Sequence, residues 1–309
     1  IGIVKGTRSK EVVIKANTTR ASITDSNSQL VLPGIGQLGF KRRGLYDFFK
    51  KIPVATGDHG GKVTYTDWDE DTTQLAAAKV AEGGTFQEST AKFKSYSLDL
   101  VKIGASLPVS EEFGEDQVSA AAELELFIDT DVQTKVDYDL VNGVGTSGNI
   151  QGVIASVPSY TASASGIAGA NIYDLVKKVR TDITKDRGSK YSPDFVAMND
   201  DTLDLLHLEK DENNNYIFPD KSNIGSITIV SDNNVADNVL VVGDSRYARI
   251  YEMGGTAISR GLKGDQFVED METIKARKRF LFVIRNVDQT GFRKVTSISV
   301  ALTTLASSS

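Results

Sequence analysis

Between Val80 and Ile154 the order of local patterns restricts the fold more than any single motif in the chain. Ala81-Glu82-Gly83 reads as a turn, and past it Phe93, Ser95, Ser97 and Asp99 alternate with Lys94, Tyr96, Leu98 and Leu100. Upstream, from Gly61, Val63 and Tyr65 alternate with polar neighbours. Two strand-compatible flanks around a polar tip predict a long hairpin. A two-stranded arm with so little apolar surface is not stable by itself, and connections of this length are usually functional. The arm therefore needs a neighbouring surface.

The same stretch continues through an apolar strand to Leu107-Pro108-Val109-Ser110. Ser110 suits a helix N-cap, with Glu111 and Glu112 favourably placed in the first turn. Ala121, Leu124, Ile128, Val132, Val136 and Leu140 then follow helical spacing. A helix over 119–142 would be roughly 36 Å long. Gly143 is expected to stop it by adopting the left-handed conformation.

The 309 residues, 40% apolar and 25% charged, allow one large domain or two smaller ones, each with a core. There is no cysteine, which excludes disulfides and thiolate-bound metals. The longest apolar runs, 239–242 and 280–284, are strand-sized, far below the ~20 residues of a membrane span. Lys5, Arg8, Lys10, Lys15 and Arg20 punctuate the first twenty residues without an apolar stretch, so a signal peptide is not expected. The net charge of −6 hides an asymmetry: residues 1–51 carry ten basic and three acidic side chains, whereas 109–142 carry ten acidic ones and Lys135 alone. Two readings stand: arm and helix pair with each other, within or between subunits, or both are solvated faces.

Residues 1–40 are rich in Ser, Thr, Asn and Gly without a period, as in an extended arm ordered by contacts elsewhere. Residues 41–49 form a short amphipathic turn before Pro53. Asn171 caps a predicted helix with Ile172, Leu175, Val176, Val179 and Ile183 on one face. Residues 195–198, 227–230 and 239–242 read as buried strands, with a helix over 202–208. This mixture argues an α+β fold. After Gly264 long strands are expected: the run 280–284, and then Val295, Ser297 and Ser299 alternating with Thr296, Ile298 and Val300.

Signals for chemistry fail on context. Gly143-Val144-Gly145-Thr146-Ser147-Gly148 matches the dinucleotide fingerprint literally, but a helix precedes it and 149–154 looks extended, the reverse of what a pyrophosphate needs. His59 and His207 are the only histidines and lack ligand spacing. No nucleophile elbow accompanies the serines, and Glu111 and Glu112 share their helix with eight other acids. No catalytic, cofactor-binding or metal-binding residue is expected, no cofactor, and no enzyme activity.

Four ordered segments resemble the major capsid proteins of tailed double-stranded-DNA bacteriophages, the Hong Kong 97-type fold. They are Ala81-Glu82-Gly83 with its hairpin; Leu107-Pro108-Val109-Ser110-Glu111-Glu112; Asn142-Gly143-x-Gly145-Thr146 running to Gly152-Val153-Ile154; and Met198-Asn199-Asp200 through Leu206-x-Leu208 to Lys210-Asp211 and Tyr216-Ile217-Phe218. Val241-Val242-Gly243-Asp244 and Phe267-Val268 with Met271-x-Thr273-Ile274 extend the series. The resemblance implies an N-terminal arm (1–52), an extended loop with flanking strands (53–104), a peripheral domain with the long helix (105–145 and 254–309) and an axial domain (146–253).

It further implies a subunit that assembles into pentamers and hexamers enclosing double-stranded DNA without sequence preference. Lys41, Arg42, Arg43, Glu82, Lys92, Lys94, Glu111, Glu112, Glu115 and Asp116 are the expected contacts between subunits. Portal, scaffold or decoration proteins are expected partners, a membrane is not, and the subunit belongs in the virion after assembly in the host cytoplasm. A start at Ile1 suits a mature form that has lost a scaffolding segment. Some relatives weld subunits through a Lys–Asn isopeptide bond promoted by a Glu. Here those positions fall on Ser95 (with Lys94 adjacent), Asp270 and near Arg277, which implies no cross-link. The alternatives are an encapsulin-like nanocompartment shell and, from another class, a nucleotide-dependent enzyme using the 143–148 loop.

Overall fold

The computed structural model describes residues 44–55, 61–69, 73–112, 118–146, 148–211, 213–219 and 222–307. In chain order, α1 (Gly44–Phe48) and β1 (Lys50–Pro53) precede the strands β2 (Lys62–Trp68), β3 (Phe93–Asp99) and β4 (Val101–Ser110). The long helix α2 (Val118–Asn142) follows, then α3 (Val153–Ser156), α4 (Ile172–Lys185), β5 (Phe195–Met198) and α5 (Asp200–His207). Next come β6 (Asn223–Ile224), β7 (Ile227–Ser231), β8 (Leu240–Gly243), β9 (Ala248–Glu252) and β10 (Ala257–Gly261). β11 (Met271–Ile284), β12 (Phe292–Val295) and α6 (Ile298–Ala306) complete the chain. The chain divides into two units.

One unit comprises 103–134 and 256–278. Here β10 pairs antiparallel with the first half of β11, Ala257 opposite Arg277 and Gly261 opposite Thr273, and β4 also pairs with β11. Charged residues line the exposed side of that strand while Met271, Ile274 and Ala276 are buried. Arg260 on β10 donates to Glu125 of α2 at 2.7 Å and to Glu272 at 2.9 Å, fixing the edge strand to the helix. Leu124, Ile128 and Val132 supply the buried stripe of α2, continued by Val136 and Leu140. A constant four-residue step overshoots a turn by about 40°, so this stripe winds around the helix.

The other unit takes in 41–102, 135–255 and 279–309. Its centre is a five-stranded sheet in the order β12-β8-β5-β7-β6, with β5 and β7 parallel and the remaining pairs antiparallel. Ile172, Leu175, Val176, Val179 and Ile183 of α4 share a buried cluster with Val196, Met198, Leu240 and Val242 of the sheet. Asn171 caps α4 as expected, its side chain accepting from Asp174 N–H at 3.0 Å while the Asp174 carboxylate accepts from Asn171 N–H. A cluster of rings, Phe48 and Phe49 against Phe195 and Phe49 against Phe282, at 5.3 to 5.5 Å, ties α1 into this unit. β1 runs parallel to β9, which pairs with the last five residues of β11.

Two expectations about the ends of the long helix and of the chain need correction. Residues after Val295 do not continue as a strand: Ser297 caps α6, whose Ile298, Ala301 and Leu305 enter the buried cluster beside α4. The period-two pattern there was too short to outweigh a hydroxyl cap followed by helical spacing. Gly143 does end α2, but not by a left-handed backbone, since its φ is not positive. A Cβ at this position would collide with the carbonyl oxygens of Ile150 and Asp139, so close passage of chain demands the glycine.

Candidate functional site

β2 and β3 pair antiparallel from Lys62 opposite Asp99 to Trp68 opposite Phe93, which is the predicted hairpin. Alternation gives it two faces. The outer one carries, from root outward, Lys62 beside Asp99 (3.5 Å), Thr64 beside Ser97, the Thr66 and Ser95 hydroxyls 3.0 Å apart, and the Trp68 and Phe93 rings with centroids 4.4 Å apart. Trp68 is 51% exposed and Phe93 64%. The opposite face holds Val63, Tyr65 and Asp67 against Leu98, Tyr96 and Lys94. There Tyr65 and Tyr96 stack at 5.3 Å.

Beyond Trp68 the ribbon continues as spaced contacts. Gln74 bridges to Thr90, and Ala76 N–H donates to the Ser89 hydroxyl at 3.0 Å. The tip turns where Gly84 N–H donates to Ala81 O at 2.9 Å, with Gly83 at φ +79°, a region open to glycine. Residues 81–95 are all exposed, and Leu75 and Phe86 are 93% and 81% exposed. Exposed apolar side chains on an ordered ribbon are the kind of patch that marks interaction sites.

Of the residues expected at contacts, Lys92 and Lys94 lie on this ribbon, and Glu82 lies in its tip turn; all three are exposed. Lys94 sits across from Asp67, and its ammonium is 5.6 Å from the Tyr96 ring centroid. Glu111 and Glu112 are exposed, in a helical turn directly after β4, and Glu111 N–H donates to Asp270 O at 2.9 Å. Lys41, Arg42, Arg43, Glu115 and Asp116 lie outside the described residues, as does His59. The acids of α2 are partly engaged at home: Glu125 with Arg260, Asp139 with Lys135 at 2.7 Å, and Asp129 with Gln133 at 2.6 Å. Sequence reasoning missed the Trp68–Phe93 pair, which depends on a register between distant positions. The β-propensity of both residues was the only hint.

The 143–148 glycines serve a loop, not a phosphate cradle. Val144 bridges to Gln151, Gly145 N–H donates to Ile150 O, and Gly152 N–H donates to Gly143 O. The following helix, α3, has only four residues where an extended run was expected. Ser95 faces Thr66 on the outer side, and the adjacent Lys94 projects from the opposite side of the strand. Asp270 takes a positive φ of 49°. Among the described residues no group of three or more His, Asp or Glu is placed to hold a metal, and no helix is long and apolar enough to cross a membrane.

The α+β architecture, its projecting hairpin and its long helix match the capsid-type fold implied by the sequence. Residues 31–293 match the Phage capsid family, and the chain belongs to that family. Solved chains share the fold at low identity. One from Mycobacterium phage Bobi is 16% identical with a TM-score of 0.65, covering 89% of this chain and 96% of that one. One described as the capsid of a native GTA particle, computed with C5 symmetry, is 13% identical with a TM-score of 0.69, covering 87% and 95%. A chain from Microbacterium phage Oxtober96 is 15% identical with a TM-score of 0.63, covering 90% and 98%. No curated protein sequence matches. The protein is a structural shell subunit of a phage head, located in the capsid of the virion, and it associates with itself to form the shell. Neither the nanocompartment nor the nucleotide-enzyme alternative is favoured.

Proposed function

We propose that copies of this chain close pentamers and hexamers into an icosahedral head around double-stranded DNA, each laying its hairpin over a neighbouring subunit. The observation that carries this reading is the ribbon of residues 62–99, ordered by its own ladder yet exposing Trp68, Leu75, Phe86 and Phe93. One fold must satisfy both five-fold and six-fold rings, and extended elements absorb the difference while packed cores keep their shape. In this scheme 1–52 is an arm, 53–104 the extended loop, 105–145 with 254–309 the peripheral domain, and 146–253 the axial domain.

Lys41, Arg42 and Arg43 of one copy meet acids of another, Glu111, Glu112, Glu115 and Asp116 among them, while Glu82, Lys92 and Lys94 contact the surface under the hairpin. Exposed pairs of this kind contribute only about 0–1 kcal/mol each, but a shell repeats them in every subunit. Contact with the genome is loose and independent of base sequence, because the acidic helix repels phosphates. The subunit catalyses nothing, needs no cofactor, forms no covalent cross-link, and assembles in the host cytoplasm with portal, scaffold or decoration proteins. The test is to replace residues 75–89 with a short Gly-Ser turn and view both proteins by negative-stain microscopy. Closed heads from the unaltered chain and none from the variant are expected; normal heads from the variant would refute the reading.

A further inference from the structure

On the inner face of the hairpin one carboxylate is placed unlike the other acids of the ribbon. Asp67 is 5% exposed, in a strand whose outward neighbours are open to water. Its Oδ1 lies 3.7 Å from Arg285 Nη1, too long for a hydrogen bond, and Val287 N–H donates to the carboxylate. Oδ2 is buried and, among the described residues, finds no partner. The Arg285 guanidinium also lies 5.7 Å from the Tyr65 ring centroid, and that ring stacks on Tyr96 of the other strand. One arginine, rooted after β11 in the unit that carries the hairpin, thus meets two residues of β2 and reaches β3 only through the Tyr65–Tyr96 stack.

We propose that Asp67 is a positioning residue for assembly: gripped by Arg285 on the inner face, it sets the course along which the hairpin leaves the subunit. The inference rests on the hairpin being the assembly arm. The charged and titratable groups around Asp67 are Arg285 and Asp288 from the segment after β11, Lys190 bonded to Asp288 at 2.6 Å, Lys94 directly across the ribbon, and Tyr65 on the same strand. Tyr96 and Tyr251 adjoin Tyr65.

An ionised Asp67 is poorly served here. Burial lifts its carboxyl above the usual carboxylate range, with Arg285 only partly offsetting the effect. The docked carboxyl therefore holds its proton more tightly than a solvated one. Docking strengthens as pH falls through that raised value and is weakened once pH rises above it.

Trp68, the only tryptophan, adjoins Asp67 and reports on the ribbon directly. Its fluorescence anisotropy should be measured in the unassembled full chain at mildly alkaline pH and in acid. The wild type should show higher anisotropy in acid. Asp67→Asn, which keeps the acceptor for Val287 but loses the charge, should show the higher value at both. Arg285→Ala should fall below wild type at the higher pH and recover in acid. A flat wild-type profile, or an Asp67→Asn profile that still follows pH, would overturn the inference. The tip replacement described above tests the arm itself, so failure of the latch and failure of the arm give different signatures.

Discussion

Phe93→Ala separates the folding of the subunit from its assembly. In the free chain the ring is 64% exposed and touches chiefly Trp68, so its loss costs the monomer about 0.5–1.5 kcal/mol. The unassembled protein should melt no more than ~4 °C lower. In a shell the account changes. A buried phenylalanine covers about 200 Å², and the share still open amounts to about 130 Å². Covering that share with a neighbour is worth about 3 kcal/mol at about 25 cal/mol per Å². Each subunit donates one hairpin, so the concentration at which particles first appear should rise about 100-fold. Light scattering against protein concentration, with melting of the unassembled chain as control, measures both quantities. Particles forming at the wild-type threshold would show that the outer face stays uncovered, and the reasoning would be wrong.

Gly143→Ala should leave little soluble protein, since relieving the collision with Ile150 O and Asp139 O exceeds about 3 kcal/mol; circular dichroism of any soluble fraction checks it. Leu305→Ala, at a fully buried position of α6, should lower stability by about 2–5 kcal/mol in chemical denaturation, whereas a terminal strand on the surface would lose far less. Charge reversal at Lys41, Arg42 and Arg43 should impair assembly most at low ionic strength, where such pairs are least screened; normal particles there would count against arm-to-helix pairing. Denaturing gels of purified particles should show one band at the 33.4 kDa monomer, and a ladder above it would establish cross-linking.

Local signals in the sequence carried much of the fold. Asn171 followed by apolar residues at helical steps identified α4 and its cap, the run 195–198 proved fully buried, and α2 spans Val118 to Asn142 beside an expected 119–142. What escaped depends on distant partners. Val295 to Val300 fits a strand as well as the entry to a helix, and only burial of Ile298, Ala301 and Leu305 against α4 decides between them. The glycine at 143 was right for a reason no local pattern contains, the passage of Ile150 alongside. At the hairpin, alternation revealed both strands but not their register, and so not the pairing of Trp68 with Phe93. Nothing local sets Asp67 apart from the other acids of the ribbon; its partners, Arg285 and Val287, lie far along the chain.

The two-stranded sheet of β2 and β3 has a further consequence. Among the described residues neither strand pairs with a third, so both margins offer backbone donors and acceptors along the ribbon. Such margins zip onto any exposed strand they meet. Newly made subunits thus carry a built-in hazard whose severity grows with crowding and waiting time. Residues 62–99 carry seven acids against four lysines, so like ribbons meet with net negative charge on both sides, which opposes their pairing. Rapid incorporation into a shell is then a form of protection as well as construction: a subunit delayed on the way is one that aggregates.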